Sequence, residues 1–207
     1  MIKIFLSKTV ILMFILLNIT LFVFSQEIND REVIIQQAQK ELPEYLNQIP
    51  AGDELLYGFY NREEFEEAYL GQLFQMYLIN ARTNNSSYKL FTYNEYRIPV
   101  LVKGKYRALV TVMQRDEAWH IVDFGAVKLA KVMGEIINDI NPSSEEDGIF
   151  LRIYGPDCDF IAFKKADKEV ESCLFYPLES ASDYIENNNK EKLSSYDLTA
   201  LFKLLQK

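Results

Sequence analysis

The chain has 207 residues, 22 Lys and Arg against 30 Asp and Glu, a formal net charge of -8, and 49% hydrophobic residues. A surface of that sign repels phosphate backbones, so nucleic acid is not expected as a partner, and so much apolar content can build a core without cofactor, metal or disulfide staples. With His120 the only histidine, a metal site with two histidine ligands cannot be assembled within one chain.

Lys3 and Lys8 lead into the apolar run Val10 to Leu17, and Val23-Phe24-Ser25 precedes the polar Gln26. A basic start, a hydrophobic stretch and small or branched residues before a cleavage point mark residues 1–25 as an export signal peptide. The 21 residues from Ile4 to Phe24 are also about the length that spans a bilayer, so an uncleaved anchor is the alternative and the one route to the membrane. Export places the protein in the periplasm, cell envelope or extracellular space. Cleavage removes two lysines and no acid, leaving 20 basic against 30 acidic residues in 26–207. That length fits a single α+β domain.

Residues 29–48 have a helical pattern, with Asn29 and Glu32 spaced as a capping box and Ile34, Ala38, Leu42, Tyr45 and Ile49 on one apolar stripe. Pro43 is expected to kink or split this helix. Asn61 and Glu64 repeat the capping spacing and open a short helix to Leu70, stopped by Gly71. Its acids at 63, 64, 66 and 67 suit the positive end of a helix dipole better than a cation site. From Gln72 the period becomes two, giving a strand through Leu78 and then a polar loop over 82–87, where Asn84 and Asn85 match the glycosylation pattern.

Tyr96, Ile98, Val100 and Val102 share one strand face, and Tyr106, Ala108, Val110 and Val112 share the next. A three-residue loop Lys103-Gly104-Lys105 would set Val102 against Tyr106 and Val100 against Ala108. Pro99 donates no ladder bond, so its strand should border an edge or a bulge. A third strand from Ala118 to Phe124 completes a meander. Tyr96 to Val112 followed by Trp119-His-Ile-Val-Asp-Phe-Gly125 resembles the meanders of exported bacterial domains with a curved antiparallel sheet, including cystatin-like and NTF2-like folds. The resemblance implies such a sheet packed on the long N-terminal helix; it carries over no functional residue.

An apolar helix follows Gly125, with Val127 to Ile140 reading as packed on more than one side. Residues 141–148 form a candidate subdomain linker. Strands are expected over 149–154, 160–164 and 170–176, and helices over 180–188 and 195–206, the last capped by Ser194 or Ser195.

In an exported chain, Cys158 and Cys173 read first as a disulfide, although hairpin register sets Cys158 against Pro177. Cys158 with His120 is the one conceivable nucleophile pair, yet Asp157 and Asp159 would raise that thiol's pKa. His120, between Trp119 and Ile121, reads as a packed strand residue. Asp157, Asp159, Glu145, Glu146 and Asp147 could offer oxygens to calcium, but the calcium-loop spacing is absent. Catalytic residues stay unassigned, and no cofactor or metal is expected. The first expectation is a noncatalytic, exported binding or accessory module, in the manner of an inhibitor, for a protein or small-molecule ligand. The alternative is an extracytoplasmic hydrolase using carboxylates or the Cys158 and His120 pair.

Overall fold

The computed structural model describes residues 30–80, 89–188 and 193–205. Residues 1–25, read above as an export signal, Asn29, and Asn84 and Asn85 of the expected polar loop lie outside them. No helix among the described residues is long and apolar enough to cross a membrane. The fold is α+β, built on one eight-stranded, mostly antiparallel sheet.

Helix α1 covers residues 30–47 and runs unbroken through Pro43. Ile34, Ala38, Leu42, Leu46 and Ile49 are its buried stripe; Leu46 takes the place expected of Tyr45, whose hydroxyl turns outward to a strand edge. Single 3-10 turns follow at Glu54–Tyr57 and Arg62–Phe65. At the second, Asn61 caps Glu64 N as its spacing predicts, but no helix propagates. Instead β1 (Tyr69–Leu70) pairs with Leu101 and Val100, a tertiary ladder that overrides the local helical pattern.

Strands β2 (Phe74–Asn80), β3 (Leu90–Val102), β4 (Lys105–Arg115) and β5 (Ala118–Gly125) form an antiparallel run. The β3–β4 loop is two residues rather than three: Leu101 faces Tyr106 and Val102 faces Lys105. Lys103 and Gly104 both have positive φ, 50° and 74°, as the tightest twisted hairpin turns require. A bulge between Val100 and Leu101 then restores the expected pairing of Val100 with Ala108. Pro99 lies where the neighbour of β3 changes from β2 to β1, so its missing N–H falls at a break in the ladder.

Helix α2 (Val127–Ile140) buries one face, through Ala130, Met133 and Gly134, rather than several. At Gly134 the Tyr106 ring approaches so closely that a Cβ would stand 2.5 Å from it. The chain then re-enters the sheet through β6 (Asp147–Tyr154), which pairs in parallel with β2, so the segment expected to act as a linker already belongs to a strand from Asp147 on. Strand β7 (Cys158–Lys164) follows, then a two-residue β8 (Tyr176–Pro177). The strand expected over 170–176 is a 3-10 turn, Val170–Ser172, leading into an extended link. Helices α3 (Glu179–Asn187) and α4 (Leu198–Leu205) close the chain, and the side chain of Asp197, not Ser194 or Ser195, caps α4 by accepting from Ala200 N.

Strand order is β5-β4-β3-β2-β6-β7-β8. One face carries α1 over β3 to β5, and beside it α3 and α4 over β6 and β7. The other face carries α2 alone, packed on Phe74, Leu109, Phe150 and Ile161. At 14 residues, α2 is only about 21 Å long, so it leaves the far end of that face uncovered. The candidate site lies there.

Candidate binding site

The uncovered end is shaped by an irregularity in β3. Gln75 pairs with Tyr96 and Tyr77 with Thr92, so Tyr93, Asn94 and Glu95 together stand against Met76. Extra residues in one strand bend it and re-aim its side chains, and here the bend opens a pocket in the sheet surface. Its volume is about 270 Å³, with Met76 and Leu78 as floor, Arg97 and Arg152 as walls, and Glu95, Tyr93 and Tyr154 at the rim.

Both arginines are held by partners. Arg152 forms a fork with Asp159 on the adjacent strand, Nε to Oδ1 at 2.7 Å and Nη2 to Oδ2 at 2.9 Å. The hydrogen bonds to Asp159 push the Arg152 pKa above its ordinary value. Arg97 donates through Nη1 to the Thr111 hydroxyl, meets Glu95 through Nη2 at 3.3 Å, and lies over the Phe150 ring. Burial pulls its pKa down, nearby Glu95 opposes that, and the like charge of Arg152 adds to it. Arg97 Nε is buried without a hydrogen-bond partner. A buried donor left unpaired is costly, and the same holds for Arg107 Nε away from this pocket, so the unpaired Nε does not by itself mark a site. By contrast Tyr93, Tyr154 and the neighbouring Phe91 stand 50%, 39% and 49% exposed.

A second hollow, of about 430 Å³, lies between α1 and the edge strand β5 and includes Glu44, Gln48, Arg115 and His120. His120 is not packed in the core as expected: it is half-exposed, with Nδ1 2.6 Å from Glu41 Oε1. The β4–β5 turn has two residues, Asp116 and Glu117, which sets His120 opposite Met113 and leaves the core face to Trp119 and Ile121. Gln37 and Glu41 accept from the edge amides of Trp119 and Ile121, each at 2.8 Å, and the Tyr45 hydroxyl donates to Ile121 O. Three side chains one helical turn apart thus satisfy an open strand edge. That is a structural task, and no serine, threonine or cysteine lines the hollow.

The remaining sequence candidates are dispersed. His120 on β5 and Cys158 on β7 sit five strands apart, roughly 24 Å at the usual strand spacing of about 4.8 Å, so they form no catalytic pair. Cys158 and Cys173 are free and buried in place of the expected disulfide. The pairing of Phe160 with Pro177 carries Cys158 toward Glu179, while Cys173 caps the 3-10 turn well before β8. Asp159 is taken by Arg152, Asp147 by Arg31 and Lys164, and Glu146 by Ser143 N. No group of acids, histidines or cysteines among the described residues is arranged to hold a metal. Of the acids at 63 to 67, Glu64 pairs with Arg107 and Glu67 with Lys103.

Sequence reasoning did not reach Arg97 or Arg152. A signal was present, since each is a long cationic side chain directly beside apolar strand residues, Ile98 after Arg97 and Leu151 and Ile153 around Arg152. What it lacked was the parallel pairing of β2 with β6, which brings the two together from 55 positions apart. No protein-family model, curated protein or solved structure matches the chain.

Proposed function

We propose that this is an exported, noncatalytic binding or accessory module of the cell envelope or extracellular space, working through the open end of its sheet. The observation that carries the reading is the pocket itself. Two arginines fixed by carboxylates form its walls, and exposed tyrosines form its rim. Convergent polar groups in a concave site are the usual mark of ligand binding. The leader-like residues 1–25 support export, and inhibitor-like action on another exported protein belongs to the same reading. A cystatin-like or NTF2-like curvature of the sheet is also part of it, supported by the β3 to β5 meander laid over α1. The hydrolase alternative has its thiol form opposed by the separation of His120 from Cys158.

The test uses residues 26–207 immobilised and challenged with fractionated envelope and culture-medium components. Retention of a defined component is expected, and the double variant Tyr93→Ala/Tyr154→Ala should lose it while keeping its urea midpoint, because both side chains are exposed. Retention that ignores the double variant, or turnover of ester, peptide or glycoside substrates, would contradict the proposal.

A further inference from the structure

The charge count in the pocket narrows the ligand. Arg97 and Arg152 are balanced by Glu95 and Asp159, and the remaining acid nearby, Asp123, is 3.9 Å from Arg97 with its side chain 72% exposed to water. An anion would have to displace carboxylates already bound to both guanidinium groups. A cation would face two fixed positive walls. Either ligand would leave a desolvated charge without its partner, which is costly.

Resting on the binding reading above, we infer that the pocket takes a neutral, hydroxyl-rich ring, namely a sugar residue of a glycan. Arg152 uses Nε and Nη2 on Asp159, and Nη1 has no partner among the described residues. Glu95 meets Arg97 through Oε1, which leaves Oε2 as an acceptor at the rim. A hydroxyl both donates and accepts, so adjacent hydroxyls on a ring can accept from Arg152 and donate to Glu95 without adding charge. The fixed guanidinium and carboxylate planes supply direction. Tyr93 and Tyr154 supply flat surface at little entropic cost, since a tyrosine has only two side-chain torsions to fix.

Size and surroundings agree with this ligand. The volume of about 270 Å³ is below the roughly 300 to 1,000 Å³ typical of drug-sized ligands, which suits one ring. Phe91 pairs with Leu78 of the pocket floor and is half exposed, so the aromatic surface continues past the pocket and offers a place for a second ring. The formal charge of -8 disfavours long-range attraction of anionic polymers and leaves neutral ones unaffected.

The test is titration of isotopically labelled residues 26–207 with neutral disaccharides built on glucose, galactose or N-acetylglucosamine, and separately with glucuronate and acetate, followed by amide chemical shifts. At least one neutral disaccharide should saturate with a dissociation constant on the order of millimolar, its shifts confined to residues 91–97 and 150–154. Tyr154→Ala and Glu95→Gln should each weaken that binding by about tenfold, with unchanged shifts elsewhere showing that both variants fold. Preference for glucuronate or acetate by about tenfold overturns the inference of a neutral ligand and leaves a binding module with an anionic one. Saturation insensitive to both substitutions overturns the site. If neither neutral nor acidic probes saturate, the sugar assignment fails, and the retention experiment alone then judges the broader reading.

Discussion

Cys158 has none of its surface exposed and stands between two aspartates. Burial, helped by Asp159 and then Asp157, pushes its thiol up to about 12 from an ordinary 9.0. The folded protein thus holds the proton where the unfolded chain releases it. The stabilisation is complete below the unfolded thiol's pKa and is lost as pH rises toward the folded value. Stability should fall between about pH 9 and 12 by up to roughly 1.4 kcal/mol per pH unit from this group, and Cys158→Ala should flatten the decline. Urea midpoints across that range measure it. Neither cysteine should react with iodoacetamide in the native protein and both should react in denaturant, which intact mass would show. Gly134 makes a steric counterpart: Gly134→Ala drives a methyl into the Tyr106 ring and should cost about 1 to 3 kcal/mol in denaturant unfolding. The direction of the thiol's elevation was legible in the flanking aspartates, whereas its larger cause, burial, came only with the fold. The absence of a bridge was legible only as a strained register, because the 3-10 turn that holds Cys173 away has no strong local signature.

At the scale of elements, α1 is bound to the sheet by its polar side chains as well as its apolar stripe. Gln37, Glu41 and Tyr45 occupy the hydrogen-bonding positions a further strand would fill beside β5. Glu41→Ala removes the acceptor for Ile121 N and the partner of His120, and should cost about 1 to 2 kcal/mol. It should also raise the exchange rate of the Ile121 amide and promote concentration-dependent self-association, since an unpaired edge recruits other strands. Hydrogen exchange and light scattering measure the two effects. The helix, the meander and α2 were legible because periodicity of 3.6 or 2 is repeated over many residues in each. The two hairpin turns were not. Parity of the apolar faces demands an odd offset between β3 and β4, and a bulge can supply it as well as a longer loop can; Lys103, with its positive φ of 50°, gives no hint of which.

For the molecule as a whole, the decisive contact is β2 against β6. It continues the sheet from the part before residues 141–146 into the part after them, so both should unfold together. Trp119, in the cluster under α1, and far-UV circular dichroism, which reports all elements, should trace the same urea transition. Two separated transitions would mean that the sheet is not one cooperative unit. The candidate site shares this origin. Its walls come from β3 and β6 and its floor from β2, and no local pattern in any one of them announces the others.

The first rung of that parallel ladder, Phe74 with Gly148, joins residues 74 positions apart in the sequence. Every other long pairing in the sheet is between strands that follow one another. The hairpins from β2 to β5 can therefore form early, whereas the ladder to β6 must wait for a long loop to close, which places it late and makes it slow. Until then β2 is an outer strand with bare amides and apolar side chains on both faces. A chain caught at that stage is primed to pair with a neighbour's β6, so the seam that completes the sheet is also the place where two molecules would exchange halves.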